Sequence, residues 1–329
     1  MTGVGDAMGN AMKRADRAQI RVAVLAGGTS DEREVSLMSG EHARSALKEA
    51  GYRTVDLVDP ADPAFITEMT DHRYDVAFLA LHGPVGEDGT IQGFLEFIGM
   101  PYTCSDVLAT ACAADKHVAK ILYAAAGIPV ARDVIVERGD VLDPDAVLSA
   151  VGPQCFVKPA LNGSSYGISL VKRHEELSPA VEKAFHYSNR VLVEQRLVGT
   201  EITVGVVGGL ELRALPVVEI HCGDAAEFYD LDVKYISPEK IHRIPAGITP
   251  EHTHQAQELA CRAHRALGCY GVSRSDFIVT EDGPVILETN TIPGMTAASL
   301  LPDMMRHTQT TFAEVCAELI DLALKRNEK

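Results

Sequence analysis

Between residue 20 and about residue 100, three short apolar strands are separated by helical patterns, and this spacing narrows the choice of fold more than any other feature of the chain. The strands are residues 20–26, 53–58 and 74–81, and the helical patterns fill 36–50 and 89–98. Strand, helix, strand at this spacing implies a parallel sheet with helices on its faces. Ligands of such sheets gather at the carboxyl ends of the strands. Those ends carry Gly27-Gly28-Thr29-Ser30 and His82-Gly83-Pro84. Neither is a GxGxxG sequence, so no dinucleotide site is indicated.

The pattern then changes. Residues 105–127 read as helical, with Asp115-Lys116 opening the second part. A strand (130–136), a helix (144–151) and a strand (155–158) follow, then a Gly/Ser loop from Asn162 to Gly167 and a strand (168–171). A loop of that kind between two strands predicts an antiparallel unit. After a helix at 177–185 and a strand at 191–194, Gln195 to Gly199 form an interdomain hinge. Alternating strands run from residue 200 to 220, and a long polar loop, 223–246, has the length of a lid. Thr249, Pro250 and Gly268 delimit the next helix, whose apolar face is Ala256, Leu259, Ala260, Ala263 and Leu267. The expected division is a disordered leader (1–18), an N-terminal unit (19–113), a central unit (114–199) and a C-terminal unit (200–329).

With 329 residues the chain can bury a large core. Its formal charge of −16 argues against general affinity for nucleic acid or an anionic membrane, so an anionic ligand needs local basic groups. The seven cysteines are odd in number, widely spaced and free of CxxC pairs, and read as small buried hydrophobes of a reducing compartment. No apolar run has the length of a membrane span, and the leader lacks a signal peptide's apolar core. A cytoplasmic protein is expected.

Near the C-terminus a strand ends in Glu288-Thr289-Asn290 and breaks at Pro293-Gly294. Residues two apart on a strand share a face, so a carboxylate and an amide oxygen leave one surface together. Arg274 and Asp276 lie on the partner strand. If the connecting loop is the three residues Glu281 to Gly283, Asp276 faces Glu288; a two-residue Asp-Gly loop would put them on opposite faces. The three-residue loop wants a left-handed last residue, here Gly283. Hard oxygen donors so placed suit Mg²⁺ shared with nucleotide phosphates, although a solvated hairpin face has the same pattern.

Four other segments admit two readings each. Lys158 and the loop after it, with Gly163, Ser164, Ser165 and Gly167, can cradle phosphate or simply turn. Thr29 and Glu32 have capping-box spacing, the simpler reading, yet Glu32 can also anchor a substrate ammonium. His82 reads as a ligand or as a satisfied structural histidine, and Glu87 and Asp88 as helix N-terminal charges. The segment from Thr296 to Leu300 is a carboxylate site or an ordinary cap.

Taken together these segments resemble the D-alanine–D-alanine ligases, a branch of the ATP-grasp superfamily. The resemblance rests on the run from Gly27 to Ser36, on His82-Gly83-Pro84-Val85-Gly86-Glu87-Asp88-Gly89, and on Lys158-Pro159 with Gly163-Ser164-Ser165. It continues through Phe228-Tyr229-Asp230 with Lys234-Tyr235 and the run from Glu288 to Thr296. It implies an α/β chain, α+β overall: an ATP-grasp fold behind a Rossmann-like, parallel-sheet preATP-grasp domain.

By resemblance, Lys116, Lys158 and Lys234 hold ATP phosphates under the loop of Ser165. Glu194, Gln195 and Leu197 meet adenine, and Glu201 the ribose. Asp276, Glu288 and Asn290 bind two Mg²⁺ or Mn²⁺ ions. Glu32 takes the first D-alanine's ammonium with His82 near its carboxylate, while Ser299 and the Leu300 amide take the second carboxylate. Arg274 and the Gly294 amide face the oxyanion, and Glu32, Ser164 and Tyr235 form a hydrogen-bonded triad. The Ser164/Tyr235 pair or the phosphate accepts the amine's proton. The implied reaction joins two D-alanines through a D-alanyl phosphate for peptidoglycan precursors, in a homodimer. Ligation to D-lactate or D-serine, or a silent nucleotide-binding protein, are the alternatives. Tyr166, Leu231 and Asp232 depart from the family's usual residues around the lid.

Overall fold

The computed structural model describes residues 16–161, 167–221 and 242–326. Outside them fall residues 1–15 of the expected leader, the roles expected of Ser164, Ser165, Lys234 and Tyr235, the departures at Tyr166, Leu231 and Asp232, and most of the expected lid. Residues 16–18, counted with the leader, include Arg17, which pairs with Asp321 at 3.1 Å.

The first sheet is parallel, as the strand spacing requires. β1 (Arg21–Leu25), α1 (Arg33–Glu49), β2 (Thr54–Val58), α2 (Phe65–Thr70), β3 (Val76–Leu79) and α3 (Thr90–Phe97) follow in order, and the strands lie β2-β1-β3. β3 is buried throughout, as a parallel strand covered on both faces must be. The turn at Gly27 follows β1 and the turn at His82 follows β3, so both emerge at one end of this sheet.

Asp115 separates α4 (Val107–Ala114) from α5 (Lys116–Ala125), accepting from the His117 and Val118 amides. It thereby fixes Lys116 in the first turn of α5. β4 (Asp133–Glu137), α6 (Pro144–Val151), β5 (Cys155–Pro159), β6 (Ser169–Val171), α7 (Leu177–Ala184) and β7 (Arg190–Gln195) build the second sheet, order β4-β7-β5-β6 and antiparallel throughout.

The third sheet contains β8 (Thr200–Gly208), β9 (Leu212–Ala214), β10 (Val218–Ile220), β11 (His242–Arg243), β12 (Gly271–Thr280) and β13 (Gly283–Asn290). Its order is β11-β10-β8-β12-β13, with β9 also on β8. α8 (Pro250–Leu267) covers one face; Thr249 caps it and Gly268 ends it at φ +76°, as the sequence signals require. The apolar face expected for α8 is buried residue for residue. In the segment expected to be a hinge, a Cβ on Gly199 would lie 2.2 Å from the Val279 carbonyl oxygen, so only glycine lets the backbone between β7 and β8 pass this close to β12.

The β12–β13 register is where expectation and structure part. Thr280 pairs with Gly283, so the loop is the two residues Glu281 and Asp282. Gly283 does take a positive φ, +116°. Continued without a break, this register would set Asp276 against Leu287 and send Glu288 to the other face. Instead it shifts between Asp276 and Phe277: Phe277 faces Ile286, Asp276 faces Glu288, and Leu287 is the extra residue of a β-bulge. The opposition of Asp276 and Glu288 is right, but the bulge creates it rather than a three-residue loop.

α9 (Leu300–Arg306) and α10 (Phe312–Arg326) close the described chain. α10 returns to the first sheet, and its Ala313, Val315, Cys316, Leu319 and Ile320 join the core of Val22, Val24, Leu25, Phe78 and Leu79. Arg326 locks this return: it donates to the Cys104 and Tyr102 carbonyls, each at 2.9 Å, and lies over the rings of Tyr102 and Tyr270 at 4.5 and 5.2 Å. The described cysteines are all free, and four of the six are buried. Among the described residues no helix is long and apolar enough to cross a membrane.

Two charge-assisted hydrogen bonds and two cation–π interactions set the scale for Arg326. Arg326→Ala is expected to lower unfolding free energy by about 2 kcal/mol in urea titration; an unchanged midpoint would show that the clamp contributes nothing.

Candidate active site

Three parts of the fold meet at one cleft. The first is the open end of the parallel sheet. Gly27 N–H donates to Ser36 Oγ, which donates to the Ala80 carbonyl, and Ser30 Oγ donates to the His82 carbonyl. Arg33 donates to the Gly28 carbonyl and pairs with Asp59 at 2.5 Å, while Asp59 accepts from Gly28 N–H. Burial raises the Asp59 carboxyl's pKa, but Arg33 and the backbone donors outweigh it and leave the group below its ordinary value. The conformation that carries Glu32 is therefore set by Arg33, Ser36 and Asp59, residues inside or near the motif that spacing does not single out. No Thr29–Glu32 capping box forms, because Glu32 occupies the cap position without a side-chain cap bond. Glu32 instead leans over Gly83, where a Cβ would stand 2.8 Å from its Oε2.

His82 is buried and shares Ser39 Oγ at 2.9 Å through Nε2, with a further bond to the Ile292 backbone. Burial first, and then the Arg274 charge, push its pKa down to about 4. The ring is thus neutral near pH 7 and already engaged on both sides, which is the structural-histidine reading. Ser39 also accepts from Met295 N–H, and His42 bonds the Met295 carbonyl. These bonds fasten the turn after β13 to the parallel sheet.

Asp88 behaves as expected, accepting from the Val85 and Thr90 amides at the start of α3. Glu87 does not. It turns into the cleft and accepts from Gly83 N–H at 2.7 Å. Burial, and next the Glu32 carboxylate, raise its pKa to about 8.

The third sheet supplies the floor. Arg274 pairs across the strands with Asn290, and Asp276 with Glu288 on one side and Thr203 on the other. Ser273, Ser275, Phe277 and Val279 alternate with them and are buried on the opposite face. Arg274 grips Asp276 with two bonds of 3.1 Å, and Thr203 Oγ1 donates to the same carboxylate. Beneath, the Ser275 and Thr289 hydroxyls bond at 2.8 Å. Asn290 Oδ1 accepts from Ile292 N–H, turning the chain after β13.

The second sheet and α5 bring cations over this floor. Lys116 Nζ lies 3.1 Å from Glu288 Oε2. Lys158, near the end of β5, lies 2.6 Å from Glu194 Oε2 and also feels Glu288 and Glu201. Burial lowers the Lys158 pKa, yet these carboxylates raise it above its ordinary value. Glu194 is 3% exposed, and its second oxygen meets Lys120 at 2.5 Å. Burial opposes its charge, but Lys158 and Lys120 hold its pKa below the usual carboxylate value. Gln195 N–H donates to the Arg132 carbonyl, and Leu197 lies two residues further into the hinge.

At the far end, Ser299 precedes α9 without capping it. Its Oγ bonds Thr296 Oγ1 at 2.7 Å and accepts from Thr296 N–H, and a Cβ on Gly294 would stand 2.9 Å from it. Ser299 therefore holds the cap position of α9 without the side-chain bond of an ordinary cap, and Gly294, Thr296 and Ser299 form one compact turn.

Among the described residues no three His, Cys, Asp or Glu side chains cluster as a self-contained metal site. Asp276, Glu288 and Asn290 present two opposed carboxylates and an amide oxygen on one face. That donor set fits Mg²⁺ or Mn²⁺ completed by ligand oxygens.

Glu87 gives a pH test. Its folded pKa of about 8 lies above the ordinary 4.5, so its contribution to stability is full below about pH 4.5 and lost as pH rises through about 8. Glu87→Gln keeps an uncharged acceptor for Gly83. Its melting temperature relative to the parent protein is expected to climb between about pH 5 and about pH 9. A difference that stays constant over that range would rule out a raised Glu87 pKa.

A profile described as D-ala D-ala ligase C-terminus matches residues 122–321, and one described as D-ala D-ala ligase N-terminus matches residues 60–105. The D-alanine–D-alanine ligase of Syntrophobacter fumaroxidans is 44% identical over 307 residues, spanning 93% of this chain and 98% of that protein. That of Agrobacterium fabrum is 44% identical, spanning 91% and 96%. The crystal structure of the Bacillus anthracis D-alanine–D-alanine ligase complexed with ATP superposes with a TM-score of 0.80 at 28% identity, covering 94% of this chain and 98% of that one. The Coxiella burnetii enzyme gives 0.80 at 27%, covering 94% and 96%. The ATP-grasp architecture of those structures is the one described above, and the chain belongs to the D-alanine–D-alanine ligase family.

Proposed function

We propose that the protein joins two D-alanines into D-alanyl-D-alanine, with ATP converted to ADP and phosphate through a D-alanyl phosphate. The carrying observation is the convergence of Lys116 and Lys158 on the face that holds Asp276, Glu288, Asn290 and Arg274. Family membership at 44% identity supports the same reading.

A carboxylate is a poor electrophile, and transfer of the γ-phosphoryl group makes it a good one. Little covalent work falls to the protein in such a transfer; positioning and charge stabilisation supply most of the catalysis. Lys116 and Lys158 would move from Glu288 and Glu194 to phosphate oxygens, joined by Lys234. Asp276, Glu288 and Asn290 would hold two Mg²⁺ or Mn²⁺ ions, whose chemistry is to neutralise and orient the phosphates. Residues Glu194 to Leu197 would receive adenine, Glu201 the ribose, and Ser165 the phosphates from above.

Glu32, poised over Gly83, would hold the first substrate's ammonium. Neutral His82 would act by fixing the loop and the Ile292 turn beside that substrate's carboxylate rather than by charge. Ser299 and the uncapped Leu300 amide would take the second carboxylate. When its amine attacks, the tetrahedral oxygen would develop charge before Arg274 and the Gly294 amide. The amine's proton would pass to the Ser164/Tyr235 pair, tied to Glu32, or to the phosphate. Acylphosphates hydrolyse, so a cover is needed, and residues 223–246 would provide it. The division at residues 113 and 199, a homodimer and a cytoplasmic place in peptidoglycan precursor synthesis complete the proposal.

Phosphate released from ATP and Mg²⁺ is expected to rise sharply when D-alanine is added to purified protein. Absence of any D-alanine-dependent release would overturn the ligase reading. Glu288→Gln is expected to cut turnover at least about a hundredfold with an unchanged circular dichroism spectrum. Near-full activity in that variant would remove Glu288 from the metal site.

A further inference from the structure

Lys120 lies one turn beyond Lys116 on α5. It is 4% exposed. Its ammonium has three acceptors: the Ala131 carbonyl at 2.8 Å, Asp133 Oδ1 at 3.0 Å and Glu194 Oε1 at 2.5 Å. An ammonium has three donors, so Lys120 is fully coordinated and held. Lys158, on the other oxygen of Glu194, is the more accessible of the two at 14% and faces the cleft.

The two lysines are therefore not equivalent. For Lys158 to serve as a phosphate ligand, it must turn at least part of its charge from Glu194 to the phosphate. Were Lys158 the sole partner, its departure would strand a buried carboxylate, which the low dielectric of the interior strongly opposes. The second cation is already in place and cannot leave with it.

We propose that Lys120 is a positioning residue for ATP binding, a fixed counter-ion that keeps Glu194 compensated while Lys158 passes from Glu194 to a phosphate oxygen. The inference rests on Lys158 being a phosphate ligand, and that premise has its own control. Lys158→Met in the full chain is expected to raise KM for ATP about tenfold or more. An unchanged value refutes the phosphate assignment and removes the premise.

A double-mutant cycle tests the role of Lys120. Lys120→Met is expected to raise KM for ATP about tenfold, with kcat and KM for D-alanine changed less than about twofold. In a Glu194→Gln background, where no charge is left to strand, the same substitution is expected to change KM for ATP less than about twofold. An equal penalty in both backgrounds, or one shared between ATP and D-alanine, means that Lys120 merely braces the fold and overturns the proposal. If Lys120→Met does not fold, Lys120→Gln keeps a donor for the Ala131 carbonyl without the charge. It is read in the same two backgrounds against the same outcomes.

Discussion

The cross-strand opposition of Asp276 and Glu288 is the constraint on which the site depends. One residue of slip would carry Glu288 under the sheet and break its pairing with Lys116. The bulge at Leu287 prevents this, and the Ser275–Thr289 hydroxyl bond fastens the strands just beyond it. Alternation does the rest: Arg274, Asp276, Glu288 and Asn290 face the cleft because Ser275, Phe277, Ile286 and Thr289 are buried opposite them. The chemistry of the cleft is thus set by the packing of its reverse side.

A second theme is mutual neutralisation. Asp276 is held by Arg274, Glu288 by Lys116 and Glu194 by two lysines. In a chain of net charge −16 these pairs keep a concentrated set of cations beside a set of anions without long-range cost. On the function proposed above, a ligand carrying both phosphate and divalent cation would exchange partners with them and leave no charge alone. Such a site would be matched to a metal nucleotide rather than to either component.

Much of this is legible in the residues. Period-2 and period-3.6 patterns locate the parallel sheet, the antiparallel unit and α8, because propensity, capping and burial agree there. The opposition of Asp276 and Glu288 is legible too, but through the wrong device. Gly283 has the positive φ that the three-residue loop wants, yet Leu287 looks like any strand residue, and a bulge leaves no mark in composition. Glu87 stays hidden because an acid before a helix reads the same whether it caps or turns inward. Lys120 stays hidden because its acceptors lie on β4, β7 and the segment before β4, and no local pattern reports such neighbours. Thr29–Glu32 shows the converse: a capping-box spacing is present, but the loop's bonds to Ser36, Asp59 and His82 set a different conformation.

The return of α10 to the first sheet carries a consequence for biosynthesis. The apolar surface of α1 and β3 is covered by a helix far downstream in the chain, and Arg326 reaches back to the Tyr102–Cys104 segment. Domains usually assemble in the order they leave the ribosome. Here the first sheet emerges with part of its core bare and stays so until α10 has been made. During that interval the nascent chain exposes the kind of surface that chaperones bind, and a ribosome stalled before α10 would leave a product whose earliest-made part is the least complete.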